Sequence, residues 1–213
     1  MRLIQLLLSP ASRLVRLAIG EKRISCDFAG AENPQAHLPI LMESDGTTLT
    51  GLWAIVDHLE NQYPENPLLP EDAAERAEAL RLLDWAMNNF HDETTKRIVF
   101  EKGSQAQTGS LLRRPPNMET VRLGRQALKA TLPDIGAFAE ARGFLAGRNV
   151  SLADLAMAAH VSALDYYGEI PWAELPALAE WYIRIKSRPS FRPLLADRVP
   201  GQPPVPHYAE LDF

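Results

Sequence analysis

The run Gly147-Arg148-Asn149-Val150-Ser151-Leu152-Ala153-Asp154-Leu155-Ala156, continued by Met157-Ala158-Ala159-His160, limits what this chain can fold into more than any other stretch. Ser151 is a natural helix N-cap. Asp154, three positions on, can return its carboxylate to the Ser151 amide while the Ser151 hydroxyl takes the Asp154 amide, a short-armed capping box. Val150 and Leu155 stand where a hydrophobic staple clamps the entering chain. Beyond the cap, Leu152, Leu155, Met157 and Val161 alternate with Ala153, Ala156, Ala158, Ala159 and Ala163 and leave almost no polar face. A helix apolar all round is buried, and its alanines admit close neighbours. The spacing therefore predicts a central helix inside a helical domain, with Ser151 and Asp154 as structural residues and His160 as a hydrogen-bonded core histidine.

The rest of the sequence supplies that surrounding core. With 213 residues, 46% of them hydrophobic and 23% charged, the chain is globular and large enough for one large or two small domains. No apolar run reaches the length of a membrane span, and Met1 to Leu8 is too short and strand-like for a signal peptide, so a cytoplasmic protein without direct membrane insertion is expected. The single cysteine, Cys26, forms no internal disulfide and reads as a small buried hydrophobe; with the 5 histidines it shows no metal-ligand spacing. A net charge of -5 argues against general nucleic-acid binding. The charge is uneven, however. Lys96, Arg97, Lys102, Arg113, Arg114, Arg122, Arg125 and Lys129 face only Glu101 and Glu119, a basic segment suited either to an acidic partner or to a solvated helical surface.

Taken in order, Leu3 to Leu8 reads as a strand, Ser9-Pro10 as a turn, and Leu14, Val15, Leu17 and Ala18 as one face of a helix. Pro10 suits the first helical turn, which places Ser9 at its positive end. Arg23 to Phe28 is expected to be a second strand. Leu38 to Met42, a turn at Ser44-Asp45-Gly46, and Thr47 to Thr50 form a hairpin; Trp53 to Leu59 follows as a helix. Three prolines between Tyr63 and Pro70 mark a linker at about residues 63–72, dividing a unit of 1–70 from one of 73–198. Helices are expected over Ala73 to Phe100, Met118 to Ala141 with a bend at Pro133, Leu175 to Ser187, and Phe191 to Asp197, with a polar loop between Gly103 and Pro116. Trp53, Trp85 and Trp181 fall at core spacing, whereas Trp172 begins a helix after Pro171, a position open to exposure. Residues 199–213 form a proline-rich extended arm ending in Tyr208, Glu210, Leu211, Asp212 and Phe213, aromatic and acidic anchors for a partner or for the chain's own surface.

The capping box with its staple, together with Trp181-Tyr182-Ile183-Arg184-Ile185-Lys186-Ser187-Arg188-Pro189-Ser190-Phe191, resembles the core and late helices of the glutathione S-transferase superfamily. The resemblance runs from Met1 to about Arg198. It implies a thioredoxin-like N-terminal domain of mixed α/β order, a helical bundle C-terminal domain, and a cis bond at Leu38-Pro39. In catalytic relatives a first-turn Tyr, Ser or Cys lowers the thiol pKa of glutathione, and an acidic-Ser pair holds its γ-glutamyl end. Ser9, in Ser9-Pro10-Ala11-Ser12-Arg13, matches the first position. Thr50-Gly51 replaces the pair, so the site formed by Pro39, Thr50 and Gly51 is expected to be degenerate: two lost bonds to charged groups, each about 1.5–3 kcal/mol, weaken binding about a hundredfold or more.

That altered pair, the run Gly143-Phe144-Leu145-Ala146-Gly147-Arg148 and the ending Pro206-His207-Tyr208-Ala209-Glu210-Leu211-Asp212-Phe213 resemble a cell-division branch of the superfamily. The resemblance implies a non-catalytic homodimer at the division site, without cofactor, that binds FtsZ filaments and alters their curvature and bundling to promote constriction. Arg113, Arg114, Arg122 and Arg125 are the expected filament contacts. The tail would reach a second partner, a membrane-embedded division or cell-wall enzyme. The alternative is a glutathione-dependent transferase in which Ser9 activates the thiol of glutathione.

Overall fold

The computed structural model describes residues 1–32, 37–103 and 115–211. The N-terminal half contains β1 (Arg2–Gln5), α1 (Pro10–Glu21), β2 (Asp27–Gly30), β3 (Ile40–Met42), β4 (Thr48–Thr50) and α2 (Leu52–Gln62). The sheet order is β2-β1-β3-β4, with β1 parallel to β2 and antiparallel to β3, and β3 antiparallel to β4. Period-two alternation puts Leu3, opposite both Phe28 and Leu41, on one face of the sheet. Leu3 and Leu41 join Leu14, Val15, Leu17, Ile55 and Leu59 in the core beneath the helices. The Leu38-Pro39 bond is cis.

The second strand starts later than the apolar pattern suggests, because helix α1 ends in a left-handed turn. Arg23 has φ 57°, its N–H donates to Gly20 O at 3.1 Å, and Ile24 N–H donates to Ile19 O at 3.0 Å. This is a Schellman closure with arginine where glycine is usual. It carries the chain past Cys26, which is half-buried and outside the strand, before pairing begins at Asp27.

The 63–72 connection is pinned. Glu60 accepts from the backbone of Leu68 at 3.2 Å and Leu69 at 3.2 Å and pairs with Lys22 at 2.7 Å. Asp72 then caps α3 (Ala73–Trp85), accepting from Ala74 and Glu75 N–H at 2.9 Å. The helix continues directly into α4 (Ala86–Phe100), wound as a wider π-type helix. Asn117 caps α5 (Met118–Arg142), which contains Pro133. After α6 (Leu152–Tyr166) come α7 (Pro176–Lys186) and α8 (Arg192–Leu195), with short 3-10 turns at Trp172–Glu174, Pro189–Phe191 and Pro206–Ala209. The last helix is shorter than expected; Pro189–Phe191 forms its own turn ahead of Arg192.

Helix α6 is the axis of the fold: every residue from Leu152 to Tyr166 is buried, and α1, α3, α4 and α7 pack around it. The capping box forms. Ser151 N–H and the Ser151 hydroxyl donate to Asp154 Oδ2 at 3.0 and 2.9 Å, and the hydroxyl faces the Asp154 amide. Asp154 Oδ1 also accepts from Leu145 N–H at 2.9 Å and Trp181 Nε1 at 3.0 Å. The first amide of α6, Leu152 N–H, donates to Leu68 O at 2.9 Å, so the connecting segment caps the central helix.

Trp53 departs from its expected core place, and Trp172 takes one. Trp53 is 49% exposed because it lies off the α2 face that buries Leu52, Ile55, Val56 and Leu59, whereas Trp172 is buried, stacks on Tyr182 at 5.1 Å and donates to Asp165 Oδ1 at 2.8 Å. The arm also differs from an extended strand lying free. Its 3-10 turn brings Tyr208 fully into the core, against Tyr166 at 5.2 Å between ring centres.

Candidate functional site

Ser9 lies between β1 and α1, half-buried, at the N-terminus of α1. Its hydroxyl accepts from Ser12 N–H at 3.5 Å, the N-cap role its position favours. Pro39 is buried, and its carbonyl accepts from Gly51 N–H at 2.9 Å, which fixes the β4–α2 corner against the start of β3. Thr50 is exposed at the end of β4; Gly51 is the N-cap of α2 and supplies no side-chain cap. Ser9, Pro39, Thr50 and Gly51 thus occupy the two helix-entry corners of the N-terminal half.

Gly51 has φ +83° and ψ 155°, a backbone region essentially reserved for glycine. A Cβ built there would overlap the His37 imidazole, 2.8 Å from its Cδ2. A side chain at this position is therefore opposed by the backbone conformation, and it would also have to displace the exposed His37 ring. The sequence shows that Gly51 brings no hydroxyl; it does not reveal that His37 lies over it. The only sequence signal is the nearness of His37 to Pro39, which pairs with Gly51.

The basic segment is heavily neutralised. Arg122 pairs with Glu119 at 2.6 Å, Lys96 with Asp92 at 3.0 Å, and Arg125 with Glu169 at 2.7 Å, where Lys102 also binds. Burial pushes the Glu169 carboxyl up, but the Arg125 and Lys102 hydrogen bonds outweigh it and hold it below its ordinary value. Arg122 and Arg125 remain at least half exposed while engaged in these pairs. Arg113, Arg114, Asp212 and Phe213 lie outside the described residues. Glu210 and Leu211 are exposed, Leu211 by 43%. Tyr208 is a correction: as a surface anchor for a partner it is unavailable, because its ring belongs to the chain's own core.

What holds Tyr208 is a polar network that the sequence reading missed. The fully buried Arg13 donates from Nε to Leu7 O at 2.7 Å, from Nη1 to Ser162 Oγ at 2.7 Å and Tyr208 Oη at 2.9 Å, and from Nη2 to Asp197 at 3.2 Å. Arg16 grips the same Asp197 through both terminal nitrogens, at 2.8 to 3.0 Å. Two arginines on the apolar face of α1, three positions apart, were the available signal. His160 is a core residue, Nδ1 meeting Thr95 Oγ1 at 2.7 Å; burial holds it well below the ordinary imidazole range. Among the described residues, no group of three or more His, Cys, Asp or Glu side chains could hold a metal, and no helix is long and apolar enough to cross a membrane.

Family models for the glutathione S-transferase N-terminal domain and C-terminal domain match residues 3–67 and 92–184. The chain belongs to the glutathione S-transferase family. Within it, the chain is 42% identical to the "FtsZ-localized protein A" of Caulobacter vibrioides, covering 97% of this chain and 95% of that protein. Two solved structures superpose with TM-scores of 0.93 at 40% identity, each covering 100% of this chain and 99% of the other: FzlA from C. crescentus, and a protein described as a glutathione S-transferase from Rhodospirillum rubrum F11. The family fold is thus present over the described chain.

Proposed function

We propose that this chain is a non-catalytic member of the glutathione S-transferase family that acts in cell division, binding FtsZ filaments as a homodimer at the division site in the cytoplasm. The observation that carries the reading is Gly51 under His37, which leaves the α2 entry without the hydroxyl that would hold a γ-glutamyl carboxylate. Similarity over 97% of this chain to an FtsZ-localized protein supports FtsZ as the partner. A two-fold dimer presents two copies of one surface and joins two filament subunits at a fixed angle. Curvature and bundling then change without chemistry, which promotes constriction. Arg122 and Arg125, with Arg113 and Arg114, are the proposed contacts to the filament; Glu210, Leu211, Asp212 and Phe213 are left to a membrane-embedded division or cell-wall enzyme.

Co-sedimentation with purified FtsZ and GTP tests this. The chain pellets with filaments, less so as salt rises, and the Arg122→Glu, Arg125→Glu double variant pellets less at low salt. Absence of the chain from the pellet at every salt concentration removes the reading. A second reading, glutathione-dependent transfer through Ser9, is favoured by the similarity to the R. rubrum protein and by the position of Ser9 at a helix N-terminus.

A further inference from the structure

A trough runs along the junction of the two halves, where the end of α1 meets the α7–α8 turn. Its first part, about 240 Å³, is walled by Ile24, Cys26, Phe28 and Pro193. It shares Gly20, Pro189 and Ser190 with a second part of about 340 Å³ that Arg23, Asn66 and Asn149 line, so the two are one continuous depression. One end is mostly apolar, with Arg16 at its edge, and the other polar.

Arg23 is the unusual residue. It occupies the left-handed position that closes α1, where glycine is the ordinary choice and a side chain costs stability. Its side chain is exposed and makes no hydrogen bond or salt bridge among the described residues. The neighbouring acid is already engaged: Glu21 accepts from Arg188 at 2.7 and 2.6 Å and from Ser190 at 2.5 Å. The other left-handed non-glycine residue among those described, Asn66, lines the same part of the trough. The Asn66 and Asn149 amides make no side-chain hydrogen bonds among the described residues, leaving donors and acceptors for a main chain. Burial pushes the Cys26 thiol up to about 11, so the apolar end holds a protonated, unreactive sulfur.

We propose that this trough binds an extended peptide segment of a partner protein, one carrying an apolar side chain beside an Asp or Glu. The apolar side chain fills the part against Ile24 and Phe28, the carboxylate meets Arg23, and Asn66 and Asn149 hydrogen-bond the peptide backbone. A peptide fits better than a compact ligand because the depression is elongated and continues past Asn149 and Val150 into a third part lined by Glu71, Asp72 and Glu75. That acidic end repels a run of acids and restricts the carboxylate to the neighbourhood of Arg23. The proposal is independent of FtsZ binding.

The test is selection of random displayed peptides on the full chain, followed by affinity measurement on Arg23→Gly and Arg23→Lys. Selected peptides pair one acid with Leu, Ile, Phe or Met. They lose about tenfold or more in affinity on Arg23→Gly, as loss of a charged hydrogen bond requires, and retain most of it on Arg23→Lys. Arg23→Gly melts at or above the wild-type temperature, so the loss is not unfolding. Peptides without an acid, no shared pattern, or equal binding to Arg23→Gly would overturn the proposal.

Discussion

Arg13 and Tyr208, 195 positions apart in the sequence, meet through a 2.9 Å hydrogen bond in the interior of the protein. Burial opposes the charge on Arg13, but Tyr208 and Asp197 outweigh it and keep the guanidinium protonated. Tyr208 in turn donates to Leu194 O at 3.0 Å. The first helix, the central helix through Ser162, α8 through Leu194 and the tail are tied by the Arg13–Tyr208 pair, so the tail segment carrying Tyr208 is part of the fold.

Tyr208→Phe removes the acceptor from a buried charge and should cost about 1–3 kcal/mol, while Tyr208→Ala, which also opens a cavity, should cost about 3–5 kcal/mol. Deleting residues 207–213 should match the alanine variant. Urea unfolding measures all three, and an unchanged midpoint after the deletion would show the tail to be dispensable to the fold.

Gly51→Ser should destabilise by about 1–3 kcal/mol, since the backbone there is a glycine conformation. Adding His37→Ala should recover only the part due to collision with the ring. Neither variant should gain glutathione binding. Chemical denaturation with a glutathione titration on each variant separates the two effects.

The central helix and its cap were legible because their signals are local: a cap, a staple and alanine spacing all lie within one stretch. The thioredoxin-like element order and the cis proline followed from the family resemblance. Trp53 was misplaced and Trp172 was open because helical spacing identifies a face without saying what packs on it. Tyr208 was open between self and partner since its deciding contact, Arg13, is remote in sequence. Gly51 was visible as a missing hydroxyl, but its φ and the ring above it are properties of three dimensions.

Asp154 accepts four hydrogen bonds, from Leu145, Trp181 and two groups of Ser151. Burial raises its carboxyl above the ordinary value, and these donors offset that only in part. Asp154→Ala leaves buried donors unpaired and should cost about 3 kcal/mol or more, with Ser151→Ala near 1 kcal/mol. Thermal unfolding of the two variants checks the order; equal effects would contradict it.

Stability should fall on mild acidification. His160 is buried and His91 half-buried, with ring centres 5.7 Å apart, and desolvation lowers both imidazole pKa values in the folded state. The unfolded chain therefore takes up protons near pH 6.5, before the folded protein does, and stability declines as pH drops through that value toward the lower folded ones. Urea midpoints from about pH 7.5 to about pH 5.5 should decrease, and His91→Gln should flatten the slope. A slope unaffected by the variant would assign the loss elsewhere.

Isothermal titration of the purified protein with millimolar glutathione tests the central claim most directly. No heat beyond dilution is expected, because the α2 entry offers Gly51 and an overlying His37 in place of a hydroxyl. Saturable heat at sub-millimolar affinity, abolished by Ser9→Ala, would contradict it and return the chain to glutathione chemistry.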